Sequence, residues 1–166
     1  MAEIWELVDK EGRLTGVFHE RGSGIPIPEG LYHLCVEVWV SIRGEQLILT
    51  QRHKEKHYSL KWECTGGSVL STETAIEGAA RELGEEVGIV RPVSELIPLG
   101  VRLRDDCAVH SFLLRLDELP EISIQKEVVA AYKFVTIAEM ESLSEELTDW
   151  ARESFAMFKE ALSARK

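Results

Sequence analysis

The apolar positions of the chain change period along its length, and the changes mark its elements. Ile4, Glu6 and Val8 alternate against Trp5 and Leu7, which predicts a strand over residues 3–8. Asp9, Lys10, Glu11 and Gly12 form a turn, and residues 14–18 return as a hairpin. Residues 20–30 carry Gly22, Gly24, Pro26, Pro28 and Gly30 and read as a crossing segment in which Ile25 and Ile27 have something to bury. Residues 31–40 are apolar on both faces, with Leu34, Val36, Val38 and Val40 on one and Cys35 and Trp39 on the other. That pattern predicts a central strand. A turn at Arg43, Gly44 and Glu45 leads to a second strand over 46–51, a polar loop over 52–61 rich in His and Lys, and a short strand at Trp62, Glu63 and Cys64. Further on, 99–103 and 109–116 alternate as a strand pair with Asp105 and Asp106 near the turn. Residues 120–127 read as a loop or edge, and 131–135 as a late strand. Thr136 to Glu139 is a capping box that starts a short helix, and Ser144 caps a second. Leu147, Trp150, Phe155, Phe158 and Leu162 give the second helix a stripe for core packing.

Between the two halves lies a helix of a different kind. Ile76, Ala80, Leu83 and Val87 recur at three- and four-residue spacing, Ser71 or Thr72 can cap the start, and Gly88 suits the stop. Glu82, Glu85 and Glu86 fall at i, i+3 and i+4, crowding one face away from that stripe. Like charges at this spacing cost about 0.2–0.5 kcal/mol per pair. The acids also sit in the last turns, where the helix dipole disfavours them, and Gly84 costs about 1 kcal/mol relative to Ala. Local preference overridden three times in one place points to function, and carboxylate oxygens are the ligands that Mg²⁺ and Mn²⁺ prefer. The competing reading is a solvated acidic face in which Arg81 offsets Glu77 and Glu85.

Length and composition narrow the class. At 166 residues the chain has room for one domain with a real core: an N-terminal hairpin over 1–30, a body over about 31–140 and a C-terminal helix over about 144–163. A content of 45% hydrophobic and 29% charged residues is ordinary for a globular protein, and no apolar run reaches membrane-spanning length. The first residues lack a signal-peptide pattern. Cys35, Cys64 and Cys107 are odd in number and widely spaced, which argues against a disulfide framework and for a reducing compartment, the cytoplasm. A net charge of −10 disfavours a nucleic-acid duplex or an anionic membrane as partner, but not a small phosphorylated substrate that arrives with metal ions. The hairpin and Trp5 suit either a homodimer contact or the core.

The wider spacing carries more information than the cluster. Gly67 is followed after five residues by Glu73, then after seven by Arg81, Glu82 and Leu83, then by Glu85, Glu86, Gly88 and Ile89. This resembles a complete Nudix box. A strand, the Gln51-Arg52 pair, Trp62 and Gly66-Gly67 precede it in the order that Nudix domains use, so the resemblance covers roughly residues 31–140. It implies an α/β/α sandwich with a mixed central sheet, an α/β (α+β) fold, and metal-dependent hydrolysis of a nucleoside diphosphate linked to another group. Carried over by position, it implies that Glu82, Glu85 and Glu86 ligate Mg²⁺ (or Mn²⁺), with the backbone carbonyl of Gly66 adding a ligand. Gly67 then allows close approach, and Arg81 with Glu73 forms a buried ion pair that orients the acids. The general base is expected at Glu127, with Asp105 and Asp106 as rivals and Glu85 or Glu82 as bases within the box. Arg52 is expected to reach a phosphate. His53, His57, Lys54, Lys56 and Lys61 make a basic loop beside the box, and Tyr32, Trp39 and Trp62 are aromatics suited either to base stacking or to the core.

A second resemblance is to the branch containing isopentenyl-diphosphate isomerase, through the hairpin and the Gly30, Leu31, Tyr32, His33 entry. The isomerase Cys-Gly-His motif is replaced here by Gly66-Gly67-Ser68, and only His33 matches a metal histidine, so hydrolysis is favoured over isomerisation. A non-catalytic binding module, the other alternative, usually loses box carboxylates that this chain keeps. Thr65 in place of a common Pro, and Ser71-Thr72 in place of a usual Gly, bear on loop shape and substrate choice.

Overall fold

A computed structural model describes residues 2–165. The chain opens with an antiparallel hairpin, β1 (Ile4–Val8) and β2 (Leu14–Glu20). It continues through β3 (His33–Ile42), β4 (Gln46–Arg52), β5 (Trp62–Glu63), β6 (Thr65–Ser68) and the helix α1 (Ala75–Val87). Then come β7 (Ile97–Arg104), β8 (Cys107–Leu116), β9 (Val129–Thr136), α2 (Ile137–Ser142) and α3 (Asp149–Ser163). Among the described residues a seven-stranded mixed sheet runs β5-β4-β3-β8-β7, with β6 paired to β3 and β9 to β4.

β3 is central, as its two apolar faces require. It pairs in parallel with β8 along its whole length, from His33 opposite Cys107 to Ile42 opposite Leu116. Its other edge is shared: Cys35 to Val38 pair with β6, while β4 holds only Ser41 and Ile42. The sheet therefore forks beside β3, and the fork opens the space used by the site.

The two faces of β3 fill two cores. Leu34, Val36, Val38, Val40 and Ile42 pack with Ala79, Leu83 and Val87 of α1. Trp39, with Leu49, Leu113 and Val135, packs against Ala151, Phe155 and Leu162 of α3, and its ring N–H donates to Ser154 Oγ at 2.8 Å. Helices on both sides of a mixed sheet make the expected α/β/α sandwich. Trp62 joins this second core at its edge, where Lys133 Nζ lies 4.1 Å from its ring centroid, and Tyr32 packs at the margin of the first.

Several boundaries differ from the sequence reading. β3 starts later and ends later than 31–40, because Tyr32 exchanges backbone hydrogen bonds with Val8 and so anchors the hairpin. α1 is capped by Thr74, not by Ser71 or Thr72. Thr74 Oγ1 accepts from Glu77 N, and the Glu77 carboxylate accepts from Thr74 N at 2.9 Å, closing a capping box that leaves Glu73 outside the helix. The C-terminal stop at Gly88 is as expected, at φ 74°. The carbonyls of Glu86 and Val87 are satisfied by Gln125 N and Ser123 N from the following loop. The Thr136–Glu139 box does start α2. Ser144, however, begins only a 3₁₀ turn, and α3 is capped by Thr148, whose Oγ1 accepts from Ala151 N at 3.2 Å. Thr148→Ala is therefore expected to cost about 1–2 kcal/mol and Ser144→Ala close to nothing, as read from denaturant midpoints.

Candidate active site

The box residues assemble where α1 crosses β6. Glycine is demanded there by contact. A Cβ on Gly67 would sit 2.5 Å from the Glu82 carboxylate, and one on Gly66 would run into the Val36 carbonyl oxygen. Backbone and acid thus approach more closely than any side chain permits. Gly66 N–H donates to Glu86 Oε2 at 3.2 Å, so the helix and the strand are also joined by a charge-assisted bond.

Arg81 organises the acids. Its Nε and Nη2 donate to the two Glu73 oxygens at 2.6 and 3.0 Å, Nη1 donates to Glu82 at 2.9 Å and Glu85 at 3.0 Å, and Nη2 also reaches the Ser68 carbonyl at 2.8 Å. The expected Arg81–Glu73 pair is present. The expected offset of Glu77 is not, since Glu77 serves the cap. Burial acts to raise the Glu73 carboxyl, but bonds from Arg81 and from Leu70 N prevail and hold it below the usual range.

The three metal-ligand candidates occupy different environments. Glu85 is half exposed and paired with Arg81. Glu82 is raised by burial even though Arg81 pulls it down. Glu86 departs most from expectation. It does not project from a solvated face but is 4% exposed. Burial, and then the neighbouring Glu63 charge, push its carboxyl up to about 8, and Lys56 Nζ at 3.9 Å does not offset them. One buried carboxylate, Glu86, and one partly buried, Glu82, beside a glycine cradle form a donor set that a hard divalent cation fits, because it would neutralise charge that the protein neutralises only in part.

The acids face a cleft of about 870 Å³, within the range of small-molecule sites. Arg52 lines it, but its guanidinium is already engaged, with Glu63 at 2.8 and 3.0 Å, with the His57 carbonyl at 2.6 Å, and over the Trp150 ring at 5.1 Å. Trp150 packs against the second core, as its spacing predicts, and also forms part of the cleft wall, where it donates to Glu63 at 2.9 Å. Tyr58 meets it edge-on at 4.9 Å, and the Arg104 guanidinium lies 5.9 Å from its centroid. On the floor, Glu37 accepts from Arg102 at 2.9 Å and from Ser111 Oγ at 2.5 Å. Asp105 and Asp106 also line the cleft. Glu127 is exposed on the turn before β9 and is not part of the lining, although its neighbours Gln125 and Val128 are. Cys64 is buried but lines the cleft beside Glu37, with its thiol pushed well up by burial. Sequence reasoning missed Glu37, Glu63, Tyr58 and Trp150, since none stands at a spacing tied to the box.

The NUDIX domain model matches residues 31–158. An uncharacterized Nudix hydrolase of Listeria monocytogenes is 31% identical over 85% of this chain and 84% of its own length. The chain belongs to the Nudix family and is a Nudix hydrolase. A crystallised protein of Deinococcus radiodurans superposes with a TM-score of 0.73 at 20% identity, covering 94% of this chain and 99% of that one. A bifunctional NMN adenylyltransferase/ADP ribose pyrophosphatase of Francisella tularensis, crystallised with AMP and a Mn ion, superposes with a TM-score of 0.68 at 18% identity. The match covers 83% of this chain but only 43% of that protein. Both likenesses concern the fold.

The raised Glu86 carboxyl has a consequence for stability. A folded value above the unfolded one contributes stability below the ordinary carboxylate range, and that contribution is lost as pH rises through about 8. Metal-free protein is therefore expected to melt lower at about pH 9 than at about pH 6, and Glu86→Gln to flatten this dependence and raise the alkaline melting temperature, as measured by calorimetry in chelator.

Proposed function

We propose that the chain is a single hydrolase domain that uses Mg²⁺ or Mn²⁺ in the cytoplasm to cleave the phosphoanhydride of a nucleoside diphosphate linked to another group. The observation that carries this reading is the pair of carboxylates Glu82 and Glu86, both pushed upward by burial, seated on Gly66-Gly67 and facing the cleft. In this reading Glu82, Glu85 and Glu86 hold the metal, and the Gly66 carbonyl completes the set. A bound ion supplies charge neutralisation at the pyrophosphate oxygens and lowers the pKa of water.

The chain's own residues do the rest. Arg81 fixes the rotamers of Glu82 and Glu85, so both acids are in place before substrate arrives. Lys56 stands beside Glu86 and lines the cleft, as a cation for the substrate's phosphates. Arg52 is held against Trp150, and together they present a flat cationic and aromatic wall to the part of the substrate away from the cut. Glu85, half exposed and hydrogen-bonded to Arg81, is the acid placed to take a proton from water, because Glu127 lies outside the cleft. ADP-ribose is the first substrate to test, since the Francisella protein is named as its pyrophosphatase.

Glu86→Gln and Glu82→Gln are expected to abolish Mg²⁺-dependent release of AMP from ADP-ribose, or of the equivalent product from whichever dinucleotide or nucleotide sugar is turned over. Retained turnover would remove the assignment. Arg81→Lys keeps the charge but loses the fork, and is expected to lower kcat about 10–100-fold with metal present.

A further inference from the structure

In the same cleft, where Cys35 pairs with Ser68 beside the box, three soft side chains converge. His33 and Cys107 are register partners across the parallel β3–β8 pair, and Cys35 stands two residues along β3 on the same face. One ligand atom from each lies within 4.8 Å of the other two. His33 Nδ1 is 3.5 Å from Cys35 Sγ. A tetrahedral zinc ion, with Zn–S near 2.3 Å and Zn–N near 2.0–2.1 Å, holds its sulfur and nitrogen ligands about 3.6 Å apart. His33 and Cys35 therefore already stand at ligand spacing, with a Cys107 ligand atom within 4.8 Å of both.

The imidazole supplies an independent sign. His33 is 6% exposed, its Nε2 has no hydrogen-bond partner among the described residues, and its ring interacts with both thiols, Nδ1 facing Cys35. A buried ring nitrogen without a partner is costly. The ring is nevertheless held in place, stacked on Trp5 of the hairpin with centroids 3.4 Å apart. Cys107 Sγ is steadied by Asp106 Oδ1 at 3.6 Å, and Cys35, Cys107 and Asp106 line the cleft. The β-hairpin thus clamps a two-thiol, one-imidazole constellation that opens on its fourth side to the space where substrate would sit.

The geometry points to a second metal site, made by His33, Cys35 and Cys107, that takes a soft divalent cation of the zinc class and leaves one coordination position to water or to an anionic oxygen. Binding displaces the protons that the two thiols still hold, these protons leave to solvent, and no redox change occurs. Ligand type sorts the two sites, carboxylate for Mg²⁺ or Mn²⁺ at the box and thiolate with imidazole for zinc beside it.

The test uses the full chain, reduced with a phosphine that does not bind metal and held in excess Mg²⁺, titrated with Co²⁺ as a spectroscopic stand-in for zinc. One equivalent of Co²⁺ is expected to give the thiolate-to-cobalt charge-transfer absorption of a tetrahedral site, which one equivalent of Zn²⁺ then abolishes. Cys35→Ser, Cys107→Ser and His33→Gln are each expected to lose the absorption with the far-ultraviolet circular dichroism unchanged. Glu86→Gln is expected to keep it, which separates this site from the hydrolase reading. Absence of the band in the reduced wild-type chain overturns the inference without any variant. So does a band that survives both serine substitutions, which would place the ion at Cys64, and so does a Cys35–Cys107 disulfide that forms in preference to metal binding under the same reductant.

Discussion

One guanidinium holds the site together. Arg81 bonds an acid that precedes the helix, two acids within it and a carbonyl of the adjacent strand. It thereby fixes how the loop over residues 69–74, α1 and β6 meet. It also separates two carboxylates that share a helix face. Glu82 receives a bond from Arg81 that works against its burial, whereas Glu86 receives only a backbone N–H and a distant lysine and keeps its proton to about pH 8. Neighbouring acids with different affinities for the proton are what an acid–base or metal site requires, and here environment alone sets the difference.

The cleft itself comes from strand pairing. Because β3 gives part of one edge to β6 and only its last two residues to β4, the strands diverge, and Glu63 and Arg52 turn into the gap. Pairing with β8 along the full opposite edge supplies the rigidity that lets this edge divide. Acids from α1, the aromatic wall from α3 and the polar floor from β3 and β8 then face one another, although they are far apart in the chain. That arrangement explains why the two helical layers are needed: each carries one wall.

Much of this was readable from the residues, and the misses have physical causes. Local patterns were reliable where one element decides the outcome. The two-faced apolar run made β3 central, Thr136 and Glu139 capped α2, and the glycines and acids of the box fell where their spacing placed them. The cap of α1 was misplaced because Ser71 and Thr72 compete with Thr74 in sequence, and only the reciprocal bond to Glu77 decides among them. The burial of Glu86 was not legible because helical periodicity assigns a face but not what another strand lays over it. Gly66 and β6 cover it. Trp150 packs on the second core as its spacing predicts, but periodicity could not show that, at the N-terminal end of α3 where the helix reaches the fork, it also faces the cleft.

The positive charges of the cleft are nearly all engaged. Arg52 pairs with Glu63, Arg104 with Glu153 at 2.7 Å, and Arg81 with Glu73, Glu82 and Glu85. On a chain of net charge −10, an anionic substrate does not enter a bare cationic funnel. It must exchange for pairs that already exist, and each exchange strands a carboxylate unless another cation arrives with it. Selection then works by replacement: a ligand gains only where its phosphates and its metal together reproduce the bonds they displace, while Trp150 and Tyr58 reward a flat group held at the right distance from the cut. An isolated anion that brings no cation is penalised by the same carboxylates that make the site.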